Sequence, residues 1–281
     1  WMHSWYQMLL GTNESLYAWM DEGFTEWSTD LVEEYYRQEV GRKILANNPI
    51  ELKRSDSLAM VPPAYHQNIY NGYLTLARSG REEPMTTHAD HFNTNYAYSN
   101  AAYSKGGVFV EQLGYIVGAD VRDKIMLEYY RLWRFKHPNA NDFIRVAEKV
   151  SNLKLDWYKE YWVNTTKTID YSIDSLYEAG GATNIRLRNV GMMPMPIDVK
   201  ITFNDGSSEW HYVPMYLMFG EKPAEPGQNQ RKVYEFWKWT HPTYQISSGR
   251  RLTDIVSVEI DPSFRMADID RKNNRLELKW P

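Results

Sequence analysis

The chain has no cysteine in its 281 residues. Disulfide scaffolding, thiol catalysis and cysteine-bound zinc are therefore excluded, and any metal would have to be held by histidine and carboxylate groups. The absence suits an exported protein as well as a cytosolic one and leaves the compartment open. An excess of positive charge is lacking too: 32 Lys and Arg stand against 36 Asp and Glu, a formal net charge of −4. With no basic stripe to neutralise phosphates, nucleic acid is not an expected partner. Long apolar runs are also missing. The best, around Gly107–Ala119, is interrupted by Glu111 and Gln112, so no membrane span is expected. No internal repeat or low-complexity segment is evident.

Aromatic residues are abundant, with 11 Trp and 21 Tyr, and the length suffices for two domains with their own cores. The first 165 residues carry helical periodicity. His3 to Leu10 reads as a helix with Trp5, Met8 and Leu9 as its apolar side. A second helix is expected from near Ser15, carrying Trp19, Phe24, Trp27, Leu31 and Tyr35. After a loop with Val61-Pro62-Pro63, a helix is expected over Tyr65–Arg78. Phe109, Val110, Leu113, Ile116 and Val117 follow one face and stop at Gly118, a suitable C-terminal cap. Val121, Ile125, Tyr129 and Leu132 continue the pattern. Phe143, Val146, Ala147 and Val150 repeat it behind the capping candidates Asn139-Ala140-Asn141, and Trp157, Tyr161 and Trp162 close the helical part.

The period then changes from helical to alternating. Ile185 and Leu187 alternate with arginines, and Ile197, Val199, Ile201 and Phe203 alternate with polar residues before a hairpin turn at Asn204-Asp205-Gly206. Val256, Val258 and Ile260 form another strand pattern, and Leu276, Leu278 and Trp280 a last one. The expectation is an α+β chain: a helical part over residues 1–168, then an antiparallel β-sandwich of about seven strands over 169–281. The boundary is placed near 165–180, with Gly180-Gly181 as a break.

Three short strings carry chemistry. His3-Ser4-Trp5 is followed, with eighteen residues between, by Glu22 in Asp21-Glu22-Gly23-Phe24-Thr25. Tyr103-Ser104-Lys105-Gly106-Gly107 lies downstream, with Tyr98 five residues before Tyr103. In the H-E-x-x-H zinc motif, two histidines four apart on one helical face bind the metal and the intervening glutamate is the general base. Each residue alone has an ordinary reading: a frayed end for His3, a solvated helix start for Asp21-Glu22, packing for one of many tyrosines. Spacing and local context agree across all three.

On these strings the chain resembles the gluzincin zinc metallopeptidases of the aminopeptidase N and leukotriene hydrolase family. The resemblance runs from Trp1 to about Tyr171 and more loosely beyond. It implies that the helical part belongs to a thermolysin-like catalytic domain and that the sandwich is Ig-like. It also implies that His3 and Glu22 are zinc ligands, that Tyr103 stabilises the transition state, and that Tyr98 supports it. If His3 is the second histidine of the motif, the first histidine and the general base fall before Trp1. The family's upstream G-x-M-E-N string, which binds the substrate's amino group, is absent too. The expectation is accordingly a portion of a zinc aminopeptidase acting on peptides, itself inactive and holding Zn2+ weakly or not at all. Self-association through an uncovered face around Trp1, Trp5, Met8 and Leu9 is also expected.

Two other readings stand beside this one: a catalytically dead relative serving as a binding scaffold, and a helical domain joined to a carbohydrate-binding sandwich. The second rests on Trp237, Trp239 and Tyr244 as a stacking platform. His88-Ala89-Asp90-His91 could bind a divalent ion, although no helical pattern fixes its geometry. Asp261, Asp268, Asp270, Asn273 and Asn274 resemble an oxygen-ligand calcium loop but lack the EF-hand glycine and glutamate, so a plain polar turn is the simpler reading.

Overall fold

A computed structural model of the chain describes residues 1–36, 38 and 66–279. The expected loop at Val61-Pro62-Pro63, the helix start at Tyr65 and the strand residue Trp280 lie outside them. The helices are α1 (Met2–Leu9), α2 (Phe24–Tyr36), α3 (Gln67–Arg78), α4 (Asn95–Ser99), α5 (Gly106–Val117), α6 (Ala119–Trp133), α7 (Ala140–Ser151) and α8 (Asp156–Asn164). Two of them are entered through π-helical turns. Trp19–Gly23 leads into α2, and Asn100–Lys105 joins α4 to α5.

Helix α5 is the axis of this part, with all its residues buried. A helix apolar on all sides belongs inside a core, and its two polar residues are matched there. Glu111 accepts from Arg122 at 2.6 Å and from the Trp27 indole at 3.3 Å. Gln112 accepts from the Ala267 amide at 3.0 Å. Gly118 ends the helix at φ 92°, a backbone state that favours glycine, so the expected stop is where the helix ends. Helix α7 starts on a reciprocal cap between Asn139 and Asp142.

Helix α1 leaves Trp5 and Met8 uncovered, as expected, and buries a different face. Tyr6 and Leu10, four apart, enter the core, while Trp5 and Met8 are exposed. The reason is that His3 and Gln7 occupy the face turned towards the first π turn, which rotates Trp5 and Met8 outwards. The helix expected from near Ser15 begins later, with the π turn at Trp19.

Among the described residues the second half holds eight strands: β1 (Tyr171–Ala179), β2 (Ala182–Asn189), β3 (Ile197–Phe203), β4 (Ser208–Val213), β5 (Lys232–Val233), β6 (Thr243–Ser248), β7 (Ile255–Ile260) and β8 (Arg275–Glu277). They form a three-stranded sheet in the order β1-β2-β6 and a five-stranded sheet in the order β5-β4-β3-β7-β8. All pairings are antiparallel except the two-residue edge β4–β5, which is parallel. Gly180 and Gly181 are the turn of the β1–β2 hairpin, both at positive φ, rather than a break between parts. The turn at Asn204-Asp205-Gly206 joins β3 to β4 as its sequence predicts.

One hydrophobic cluster runs through helices and sheets alike, from Trp19 and Phe109 to Val199 and Val258. Buried polar contacts fix the join. The Asp198 amide donates to the Tyr115 hydroxyl at 3.1 Å, and Lys222 bridges Asp198 and the Tyr115 carbonyl. These buried polar contacts favour one docking of the two halves.

Candidate active site

The two π turns lie back to back. A Cβ on Gly23 would stand 2.4 Å from the Gly106 backbone, and one on Gly106 would stand 2.7 Å from the Trp19 carbonyl. No side chain fits in that space, so glycine at both positions is what allows the backbones to meet. Each π turn places one extra residue in its helix, a device frequent at functional sites because it re-aims neighbouring side chains. Here the first turn carries Glu22 and the second carries Tyr103. The Tyr103 phenol lies close enough to the Glu22 carboxylate for that group to raise its hold on its proton. Lys105, in the same turn, points the other way and is fully buried. It pairs with Glu82 at 2.7 Å and donates to the Thr165 carbonyl at 3.1 Å, anchoring the turn from behind.

Helix α1 brings in the third residue. His3 Nδ1 is 3.2 Å from Glu22 and its ring centre is 6.1 Å from that of Tyr103. Gln7, one turn on, donates its amide nitrogen to the buried Asp21 carboxylate. Its oxygen is then free to accept from His3 Nδ1 at 3.0 Å. The relay Asp21–Gln7–His3 leaves Nε2 facing Glu26 at 3.3 Å. A histidine whose Nδ1–H is held by an outer acceptor presents Nε2 with its lone pair, the usual state of a metal-binding imidazole.

Electrostatically the cluster is one-sided. Asp21 is pushed up to about 6, first by burial, with the charges of Glu14 and Glu22 adding to it. Neither Glu22 nor Glu26 is paired with Lys or Arg among the described residues. The Tyr103 phenol is raised well above its ordinary value, first by burial and then by its bond to Glu22, and so stays protonated. Tyr98 is raised as well, by burial and then by Glu22; its ring packs edge-on against Phe92 at 5.6 Å. With Asp90, Phe92 and Asn95 it lines a shallow cavity of about 370 Å³.

The structure therefore gathers His3, Glu22 and Tyr103, with Tyr98 nearby. Sequence reasoning missed Gln7 and Glu26. Both stand four residues from a candidate, Gln7 from His3 and Glu26 from Glu22, so helical spacing alone could have nominated them.

In type, an imidazole and unpaired carboxylates suit a divalent cation. In arrangement they fall short: Glu22 faces Nδ1 and Glu26 faces Nε2, and no group of three or more donors among the described residues converges on one point.

The other candidate clusters resolve differently. His88 Nδ1 accepts from the Asp90 amide at 3.2 Å and caps a short turn, so that nitrogen is engaged in structure. Trp237 is buried against Tyr171 at 5.4 Å and its indole donates to the His241 carbonyl, so with Trp239 and Tyr244 it forms no exposed platform. In the C-terminal turn, Asp261 is held by Arg271 at 2.9 Å and Asp268 by the Tyr171 amide and Asn274 at 2.8 and 2.9 Å, a polar turn knit by its own donors.

No protein-family profile matches the sequence, and no curated protein sequence matches it. Among solved structures, the chain is similar in fold to Legionella pneumophila aminopeptidase A in complex with aspartic acid. The TM-score is 0.54 at 10% sequence identity, over 95% of this chain and 26% of that one. The chain thus spans about a quarter of the length of the aminopeptidase it matches, and what the two share is an α+β architecture.

Proposed function

We propose that His3, Glu22 and Tyr103 belong to the site of a zinc-dependent peptidase of aminopeptidase type, completed by groups outside the described residues. The observation that supports this reading most is the meeting of the three side chains from α1 and the two π turns. The fold likeness to an aminopeptidase agrees with it. On this reading His3 and Glu22 would be two of the metal's protein ligands once their side chains turned to one point, and zinc would supply Lewis acidity to the hydrolysis of a peptide bond.

The remaining steps fall to the chain's own groups. The Asp21–Gln7 pair fixes the His3 ring and its tautomer. Tyr103, held protonated by burial, is a hydrogen-bond donor for the oxygen that gains charge as the scissile carbonyl is attacked. The Gly23–Gly106 contact sets the distance between that donor and Glu22. Tyr98, near enough to Glu22 and Tyr103 to feel their charge, has a supporting role on this reading.

The test is an assay on an aminoacyl anilide with the first histidine and the glutamate of the H-E-x-x-H string supplied ahead of Trp1. Tyr103→Phe removes a transition-state donor, so kcat should fall about 10²–10³-fold with a smaller change in KM. Glu22→Ala should lower zinc content together with activity, and Tyr98→Phe should be milder than either. Near-normal turnover in Tyr103→Phe, with turnover abolished in Tyr98→Phe, would overturn the assignment.

A further inference from the structure

A cleft lies in the β half, away from all of these residues. About 580 Å³ in volume, it is lined by Glu209, Trp210 and His211 of β4, Asn229 and Gln230 of the following loop, and Lys232 of β5, with the end of β6 opposite. That volume falls within the roughly 300–1,000 Å³ of small-molecule sites.

His211 is the informative residue. It is 1% exposed, and its Nδ1 lies 2.9 Å from the Tyr234 hydroxyl. That hydroxyl donates its one proton to the Ser247 carbonyl at 3.0 Å and accepts from the Ser247 amide at 3.0 Å. With that proton on the Ser247 carbonyl, Nδ1 carries the hydrogen and Nε2 the lone pair. Burial, with the Lys232 charge adding to it, brings the imidazole down to about 4, so it is neutral at physiological pH. Nε2 then meets the Glu209 carboxylate at 3.3 Å, and no hydrogen bond satisfies it among the described residues. Two acceptors face each other at the wall of a cleft with no donor between them. A donor from outside would satisfy both acceptors.

The rest of the lining narrows what that donor is. No third metal-binding side chain is grouped with Glu209 and His211 among the described residues, which disfavours a cation held by protein donors. An ammonium ligand would meet the Lys232 ammonium in the same cleft. Glu209 and Lys232 cancel in charge, the amides of Asn229 and Gln230 both donate and accept, and Trp210 adds an apolar aromatic face. We infer that this cleft binds a neutral saccharide, with Glu209 and His211 accepting from adjacent ring hydroxyls and Trp210 packing on the sugar's apolar face. It shares no residue with the His3–Glu22–Tyr103 cluster and does not depend on the peptidase reading. It also uses none of the aromatics that the sequence offered as a sugar platform.

The test is saturation-transfer NMR and calorimetry on the 281-residue chain. The probes are the methyl glycosides of glucose, galactose, mannose and N-acetylglucosamine, with cellobiose and maltose, each to about 20 mM so that millimolar affinity is detected. At least one should bind, and Trp210→Ala and Glu209→Gln should each weaken it by about tenfold or more. Glu209 is 39% exposed, so Glu209→Gln keeps the fold and decides the matter if Trp210→Ala does not fold. The inference is overturned if no probe binds, if binding is unchanged in Glu209→Gln, or if lysine methyl ester displaces the sugar at equal concentration.

Discussion

At the turn between Asp261 and Asn274, each aspartate meets donors of the chain itself: Arg271 and the Met266 amide for Asp261, Asn274 and two backbone amides for Asp268, the Lys272 amide for Asp270. At the paired π turns the acidic groups outnumber their partners. Glu22 and Glu26 share one histidine, and the charges nearest Asp21 are Glu14 and Glu22. Both clusters are rich in carboxylate and both sit on irregular backbone, so composition does not separate them. What separates them is whether the charge is answered internally. A cluster matched by its own arginine and amides holds the fold together. A cluster left net negative and part-exposed is open to a cation or substrate from outside.

The comparison is broken most forcefully at Arg271. Its guanidinium donates to both the side chain and the carbonyl of Asp261, which is fully buried. Arg271→Met would strand that carboxylate, and removing one partner of a buried pair costs about 3–5 kcal/mol. Urea unfolding should show a loss of this size; a loss below about 1 kcal/mol would mean that the matched cluster is not structural.

Gly23→Ala probes the other side. The new methyl would collide with backbone rather than with a side chain that can move aside, so about 1–3 kcal/mol should be lost as the π turns separate. Gly180→Ala is the control. Nothing lies within 4 Å of its Cβ, and only the positive φ opposes the change, a cost of about 1–2 kcal/mol. Equal melting temperatures for Gly23→Ala and the parent chain would show that the close approach is not needed.

Much of the helical frame was legible in the sequence because helix period and stop signals are local. The face Phe109–Val117 ending at Gly118, and the cap at Asn139, lie where those rules put them. The site was legible only as spacing, since His3, Glu22 and Tyr103 meet through tertiary packing. The π turns were not legible at all. A single wide turn leaves no periodic trace over five or six residues, and its one mark here is the glycine pair that lets the backbones touch. Strand β5 and its parallel pairing were invisible for a similar reason, being two residues long and set by the loop before it. The burial of Tyr6 and Leu10 in α1 was not legible, because a buried aromatic and an exposed one read alike in sequence.

A smaller effect follows from Asp268, which burial lifts to about 6 from the usual 3.8 despite its donors. The folded protein keeps this proton where the unfolded chain has released it, so folding takes up a proton between those values. The contribution of Asp268 to stability is therefore full below about pH 4 and declines as pH rises through about 6. Asp268→Asn removes the titration. It should destabilise at every pH, because the amide nitrogen would face an N–H donor, but the difference from the parent should narrow as pH rises from about 4 to 6. A difference that widens over this window in urea titrations would reverse the assigned direction.

The smallest effect on stability, and the sharpest on the comparison, is expected at Glu22. Glu22→Gln keeps the shape of the side chain and its acceptor for Tyr103, and removes one negative charge from a crowded set. Stability should change by no more than about 0.5 kcal/mol, in contrast to the loss at Arg271. Its consequence should appear in metal binding. On the peptidase reading, His3 and Glu22 are two of the three protein ligands of a catalytic zinc site, so the 281-residue chain should release zinc on dialysis against a mild chelator. What weak affinity remains, read by competition with a chromophoric chelator, should fall by about tenfold or more in Glu22→Gln, because the substituted amide carries no charge to offset a cation. Stoichiometric zinc that survives dialysis would refute the two-ligand count. Weak binding that is indifferent to Glu22→Gln but abolished by Glu26→Gln would transfer the ligand role to the carboxylate facing His3 Nε2, and with it the spacing on which the peptidase reading stands.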